Sequence, residues 1–127
     1  MLIKKKNKKN IMFLGFKKEI YKLFNQSSIV CLPSYREGFP KSLIEASASG
    51  CAIVTTDVVG CRDAIIDNFN GFLCEPKNVK SLVAKLEILI KNKKIREKFC
   101  KNSRKLALTK YDINIFVKKN LLNYTFK

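Results

Sequence analysis

Residues 28–56, SIVCLPSYREGFPKSLIEASASGCAIVTT, decide the fold. Ser28-Ile29-Val30-Cys31-Leu32-Pro33 is apolar and β-branched on both faces, as a strand inside a covered parallel sheet is, and Pro33 ends it. Ser34–Phe39 is a loop. Pro40 suits the first helical position, where its missing N–H costs nothing, and Lys41–Ser49 continues the helix until Gly50 closes it. Ala52-Ile53-Val54-Thr55-Thr56 is the next strand. Strand, loop, helix, strand in so short a span implies parallel strands joined by a right-handed crossover.

The same unit repeats on either side. Upstream, Ile11-Met12-Phe13-Leu14-Gly15 reads as a strand, and Lys17–Asn25 as a helix with Ile20, Leu23 and Phe24 at helical spacing. Downstream come a turn through Asp57–Gly60, a short helix near Arg62–Ile66, a polar loop over residues 67–71 and a strand at Phe72-Leu73-Cys74. From Asn78 the pattern is helical only. Leu82, Val83, Leu86, Leu89 and Ile90 make one stripe, Ile95, Phe99 and Leu106 a second, and Ile113, Phe116, Val117, Leu121 and Leu122 lie in a terminal segment. The expected class is α/β, a parallel sheet with flanking helices and a helical carboxy-terminal tail. The divisions are a basic leader (1–10), the α/β unit (11–109) and the helical tail (110–127).

The 127 residues, 46% of them hydrophobic, fit one modest domain. No apolar run approaches the roughly 18 residues that a bilayer crossing needs. Met1–Asn10 is basic without an apolar stretch or cleavage site, so it is not a secretory signal, and a cytoplasmic protein is expected. The five cysteines are scattered and odd in number, and His is absent, so neither a disulfide frame nor a zinc site is supported. The net charge of +16 attracts phosphates and anionic membrane surfaces without specificity. An AT-rich coding sequence also produces such an excess of Lys, Asn and Ile. No interleaved aromatic platform accompanies the charge, so no specific nucleic acid is expected.

In open α/β sheets ligands bind beyond the carboxyl ends of the strands, which here means the loops Ser34–Pro40, Asp57–Gly60 and Cys74–Lys77. The first is the richest. With a helix opening at Pro40, the amides of Lys41, Ser42 and Leu43 lack intrahelical partners and face outward, where the helix dipole favours a phosphate. Glu45 shares the face of Lys41 and Ser42, roughly 7 Å up the axis from Pro40, within reach of a ribose diol. Glu37, in a loop made permissive by Gly38, would stand on the other side of the phosphates, near a sugar attached to them. Taken singly, Glu37 also reads as a solvated loop residue and Glu45 as a helix residue paired with Lys41.

Together, Glu37-x7-Glu45 between PSYREGFP and LIEA resembles the E-x7-E signature of retaining glycosyltransferases of the two-Rossmann (GT-B) architecture, family four. Phe13-Leu14-Gly15, the run Gly50–Ile65 and Asn70-Gly71-Phe72-Leu73 extend the likeness over nearly the whole chain after residue 11, and bacterial surface-polysaccharide members look most similar. The resemblance implies an incomplete GT-B carboxy-terminal domain, with a Rossmann-like sheet, that binds a nucleoside-diphosphate sugar. It places Glu45 on the donor ribose, backbone groups of Gly38, Phe39, Pro40, Lys41, Ser42 and Leu43 on the sugar and diphosphate, and Glu37 beside the reacting sugar as the catalytic candidate, acting by positioning or charge. It implies no cofactor beyond the donor and no divalent metal, in keeping with the lack of a DxD pair.

Whole enzymes of this kind carry an amino-terminal acceptor domain, and a first strand and loop supplying Arg and Lys to the diphosphate; neither has a counterpart here. The expectation is therefore a carboxy-terminal portion, inactive alone, or a module that completes a separate acceptor-binding chain, with peripheral contact at the inner face of the membrane as an option. In the sheet order 3-2-1-4-5-6 the Ile11–Leu14 strand would be third, leaving it either paired directly with Ser28–Leu32 or unpaired. Apolar surface is expected on the terminal segment, at Ile113, Phe116, Leu121 and Leu122.

Overall fold

The computed structural model describes residues 10–111. Three strands, β1 (Ile29–Leu32), β2 (Ala52–Thr56) and β3 (Gly71–Cys74), form a parallel sheet in the order β1-β2-β3. Register pairs Ile29 with Ala52, Leu32 with Thr55, Ile53 with Gly71 and Thr56 with Cys74. β2 is buried along its whole length, which is why its apolar residues do not alternate with polar ones.

Helices cover both faces. On one, α1 (Ile20–Asn25), α2 (Lys41–Ala48) and α3 (Cys61–Ala64) bring Phe24, Leu43, Ala46, Cys61 and Ala64 onto Val30, Leu32 and Ile53. On the other, α4 (Val79–Lys91) and α5 (Lys93–Lys110) pack Leu82, Leu86, Leu89, Ile95 and Phe99 onto Ala52, Val54 and Phe72. Phe72 and Phe99 meet edge to face with centroids 5.0 Å apart. The α4 stripe is narrower than its apolar residues suggested, since Val83 and Ile90 face solvent. They flank the helical face that carries Leu82, Leu86 and Leu89, and the sheet covers only that face.

α5, about 27 Å long at 1.5 Å per residue, links the two faces. Cys100 Sγ contacts Ser28 O at 3.4 Å, Asn102 Nδ2 donates to Phe69 O at 2.8 Å and Ser103 Oγ to Asn70 O at 3.2 Å, all at the amino ends of the strands. The carboxyl ends are left for the site.

Asn92 caps α5 through its side chain, which accepts from Ile95 N at 3.1 Å, while its own N–H closes α4 on Ile88 O at 3.0 Å. Asn92→Ala removes the side-chain cap and is expected to cost about 1 kcal/mol, lowering the thermal midpoint by roughly 4–8 °C in a circular-dichroism melt.

Ile11–Leu14 is not a strand. Ile11, Met12, Phe13 and Leu14 are all exposed, and among the described residues nothing pairs with the outer edge of β1. An apolar run becomes a strand only where a ladder satisfies its backbone, and no neighbouring edge meets this one. The structure also shortens the first helix to Ile20–Asn25 and shifts the short third helix to Cys61–Ala64. The basic residues Met1–Lys9 and the apolar Ile113, Phe116, Leu121 and Leu122 lie outside the described residues. All five cysteines are free; Cys51, Cys61 and Cys74 are buried, while Cys31, on the outer strand, is exposed. Among the described residues no helix is long and apolar enough to cross a membrane.

Candidate donor-binding site

The loop between β1 and α2 is tied to the sheet by hydroxyl groups. Thr55 Oγ1 donates to Leu32 O at 2.8 Å and Thr56 Oγ1 to Ser34 O, so the end of β2 holds the start of the loop. Ser34 Oγ then donates to Glu37 Oε1 at 2.8 Å, with Arg36 O at 3.2 Å as the weaker alternative. Glu37 is thus a half-buried carboxylate with a fixed orientation rather than a free loop side chain.

From the other side the Asp57–Gly60 turn presses on the same loop. Gly60 has φ +88°, and a Cβ built on it would lie 2.1 Å from Gly38 O and 2.5 Å from Glu37 O. Only a residue without a side chain allows that approach.

α2 begins one residue later than expected. Pro40, with φ −73° and ψ 99°, is the N-cap, and Lys41 is the first helical residue. An extended ψ lets the proline stand outside the helix while its carbonyl accepts from Leu43 N at 3.0 Å. The amide of Leu43 is therefore occupied, a correction to the set Lys41, Ser42 and Leu43. Among the described residues, the amides of Gly38, Phe39, Lys41 and Ser42 have no hydrogen-bond acceptor. Four amides without an acceptor thus lie at, or just before, the amino end of α2, where free first-turn N–H groups and the helix dipole favour an anion.

Glu45 lies one turn further, half-buried, with Lys41 Nζ 3.8 Å from its Oε1. The lysine side chain is 88% exposed, so the pair is weak and easily exchanged for another donor. A cavity of about 350 Å³ opens beside these groups at the carboxyl ends of all three strands, lined by Pro33, Tyr35, Thr56, Cys74, Lys77 and Leu82 among others. Two of the loops picked out by the carboxyl-end rule, Ser34–Pro40 and Cys74–Lys77, contribute to it. Neither Glu37 nor Glu45 lines it.

The cysteines take no part. Burial pushes the Cys51 thiol up to about 11, with Cys100 adding to the effect, and burial likewise raises Cys74. Such thiols stay protonated near neutrality and are poor nucleophiles. Among the described residues no three His, Cys, Asp or Glu groups gather where they could hold a metal.

Thr56, Ser34, Gly60 and Tyr111, which packs on Phe39, shape the loop without having been singled out for it in the sequence. Gly60 alone left a trace, as a glycine in a turn at a strand's carboxyl end.

A three-stranded parallel α/β unit with helices on both faces, and a helix opening at the carboxyl end of β1, is the architecture of the carboxy-terminal domains of two-Rossmann glycosyltransferases. The chain belongs to the glycosyl transferases group 1 family, whose model matches residues 1–106. It is 40% identical over 114 residues to the N,N'-diacetylbacillosaminyl-diphospho-undecaprenol alpha-1,3-N-acetylgalactosaminyltransferase of Campylobacter jejuni, covering 90% of this chain and 30% of that enzyme. The crystal structure of the C-terminal domain of LpcC, a glycosyl transferase group 1 family protein from Francisella tularensis, superposes with TM-score 0.71 at 37% identity, covering 81% of this chain and 53% of that one. Anabaena HepE in complex with UDP-glucose superposes with TM-score 0.87 at 21% identity, over 94% of this chain and 33% of HepE. The chain thus spans less than a third of the Campylobacter enzyme.

Proposed function

We propose that residues 11–109 form part of the donor side of a retaining glycosyltransferase, which moves a sugar from a nucleoside-diphosphate sugar to a glycan or lipid-linked acceptor. The observation that carries this reading is the set of free amides at Gly38, Phe39, Lys41 and Ser42, flanked by Glu37 and Glu45. The amides receive the diphosphate, Glu45 exchanges Lys41 for the ribose hydroxyls, and Glu37, turned by Ser34, faces the transferred sugar. Backbone donors aimed at the diphosphate stabilise the charge that grows on it as the sugar departs, so positioning and electrostatics supply the rate.

The activity of the Campylobacter relative supports a lipid-linked acceptor, and the UDP-glucose bound by HepE supports a uridine donor. An acceptor carried on a lipid would place the reaction at the cytoplasmic face of the membrane, where a charge of +16 favours anionic headgroups. These residues by themselves are expected to turn over little substrate, since they span less than a third of the Campylobacter enzyme.

A second reading rests on the outer edge of β1, unpaired among the described residues, beside the exposed Ile11–Phe16. It makes the chain a module that completes a separate acceptor-binding polypeptide. Activity appearing only on mixing the two would favour it.

Calorimetric titration with UDP tests the donor site. Millimolar binding is expected, and Glu45→Ala should weaken it about tenfold, the worth of a hydrogen bond to a charged group. No heat at several millimolar UDP, or equal affinity in the variant, would argue against a donor site built on α2.

A further inference from the structure

The loop that carries the free amides also touches a residue 72 positions away from Phe39 in the chain. Tyr111 ends α5, with its N–H on Ala107 O at 3.1 Å. Its hydroxyl donates to Ala64 O at 3.0 Å, with Asp63 O at 3.2 Å as the alternative, so it satisfies carbonyls that the last turn of α3 leaves open. Lys110 Nζ reaches Asp63 O at 3.4 Å and lies 5.4 Å from the centre of the Tyr111 ring. That ring meets Phe39 edge to face, with centroids 6.3 Å apart and planes at 62°. Phe39 is itself 58% exposed, so little else fixes its side chain.

We propose that Tyr111, anchored on α3 through its hydroxyl, is a positioning residue for the donor diphosphate, holding Phe39 so that the loop carrying the free amides of Gly38, Phe39, Lys41 and Ser42 stays in place. The inference rests on the donor-site reading and adds to it the element that sets the loop. Two supports hold the loop from opposite sides: the Gly60 turn abuts the carbonyls of Glu37 and Gly38, and Tyr111 abuts the ring of Phe39. The first is a hard steric stop. The second is a soft contact between aromatic edges, made from the end of a helix whose beginning lies on the opposite face of the sheet. Amides that are already in place before the phosphate arrives spare the ordering entropy that a loose loop would lose on binding.

Two measurements on the full chain test it. A glutamate-specific protease reports local opening at Glu37, and cleavage after Glu19, at the start of α1, serves as the internal reference. Tyr111→Ala should speed cleavage after Glu37 about tenfold and leave Glu19 unchanged, the combined worth of an aromatic pair and a hydrogen bond. Tyr111→Phe keeps the ring and should give less than about threefold, since only the hydroxyl contact is lost. Phe39→Leu, a change at an exposed side chain that leaves the core alone, should open the loop severalfold on its own. In parallel, UDP affinity should fall about fivefold in Tyr111→Ala and stay near wild type in Tyr111→Phe. Equal acceleration at Glu37 and Glu19, or no change at either, would overturn the proposal, as would unaltered UDP affinity alongside a loosened loop. If the unmodified chain binds no UDP, the donor-site reading fails, and with it Tyr111's role toward the diphosphate; the protease arm then still decides whether Tyr111 anchors the loop.

Discussion

Gly60→Ala is expected to lower the thermal midpoint by roughly 10–20 °C and to abolish measurable nucleotide binding. Two costs combine at this position. With φ +88° and ψ −58°, Gly60 occupies a region that residues with a side chain rarely enter, worth about 1–3 kcal/mol. The added methyl would also lie 2.1 Å from Gly38 O and 2.5 Å from Glu37 O, and both are backbone atoms that cannot rotate aside. Relief requires the Glu37–Gly38 segment to move away from the turn, which scatters the amides that begin α2. Circular-dichroism melting and UDP titration measure the two effects separately. A midpoint within a few degrees of wild type with binding intact would show that the turn and the loop are not in contact.

Leu43→Ala should cost about 3 kcal/mol, within the 2–5 kcal/mol range for a fully buried leucine. Leu43 is 0% exposed and packs beneath the first turn of α2 with Ala46, Ile53, Cys61 and Ala64. A cavity there costs the transfer energy of the lost methyls and the contacts of their neighbours. Against a total stability of about 5–15 kcal/mol for a small domain, the loss is large, and the chemical-denaturation midpoint should fall accordingly. Leu43→Met fills nearly the same volume and should lose less than about 1.5 kcal/mol. Similar losses in both variants would mean that the site beneath α2 is not tightly packed.

The legible parts of this fold are those whose burial follows from local pattern. β2 was readable to the residue because Ala52–Thr56 is apolar or β-branched throughout and buried on both faces. The stripes of α4 and α5 were readable from Leu82, Leu86, Leu89, Ile95 and Phe99, though helical spacing could not tell that Val83 and Ile90 fall just outside the covered arc. Ile11–Leu14 has the composition of a strand, yet strand formation depends on a partner edge, which no local pattern records. At the site, the helix start and both carboxylates were visible, because proline, glycine and glutamate act through their own backbone or spacing. The placement of Pro40 outside the helix, and with it the bond from Leu43 N to Pro40 O, turned on a single ψ angle. Thr56 on Ser34 O, Gly60 on Gly38 O and Tyr111 on Phe39 are contacts across 22, 22 and 72 residues; topology brings them together, and periodicity carries no trace of them.

The donor-site reading puts an incoming nucleoside diphosphate at the amino end of α2. Backbone amide shifts followed by nuclear magnetic resonance during a UDP titration test it residue by residue. The largest, saturating changes are expected at Gly38, Phe39, Lys41 and Ser42, with a smaller response at Glu45. Changes centred instead on Tyr35, Lys77 and Asn78, around the 350 Å³ cavity at the strand ends, would contradict it.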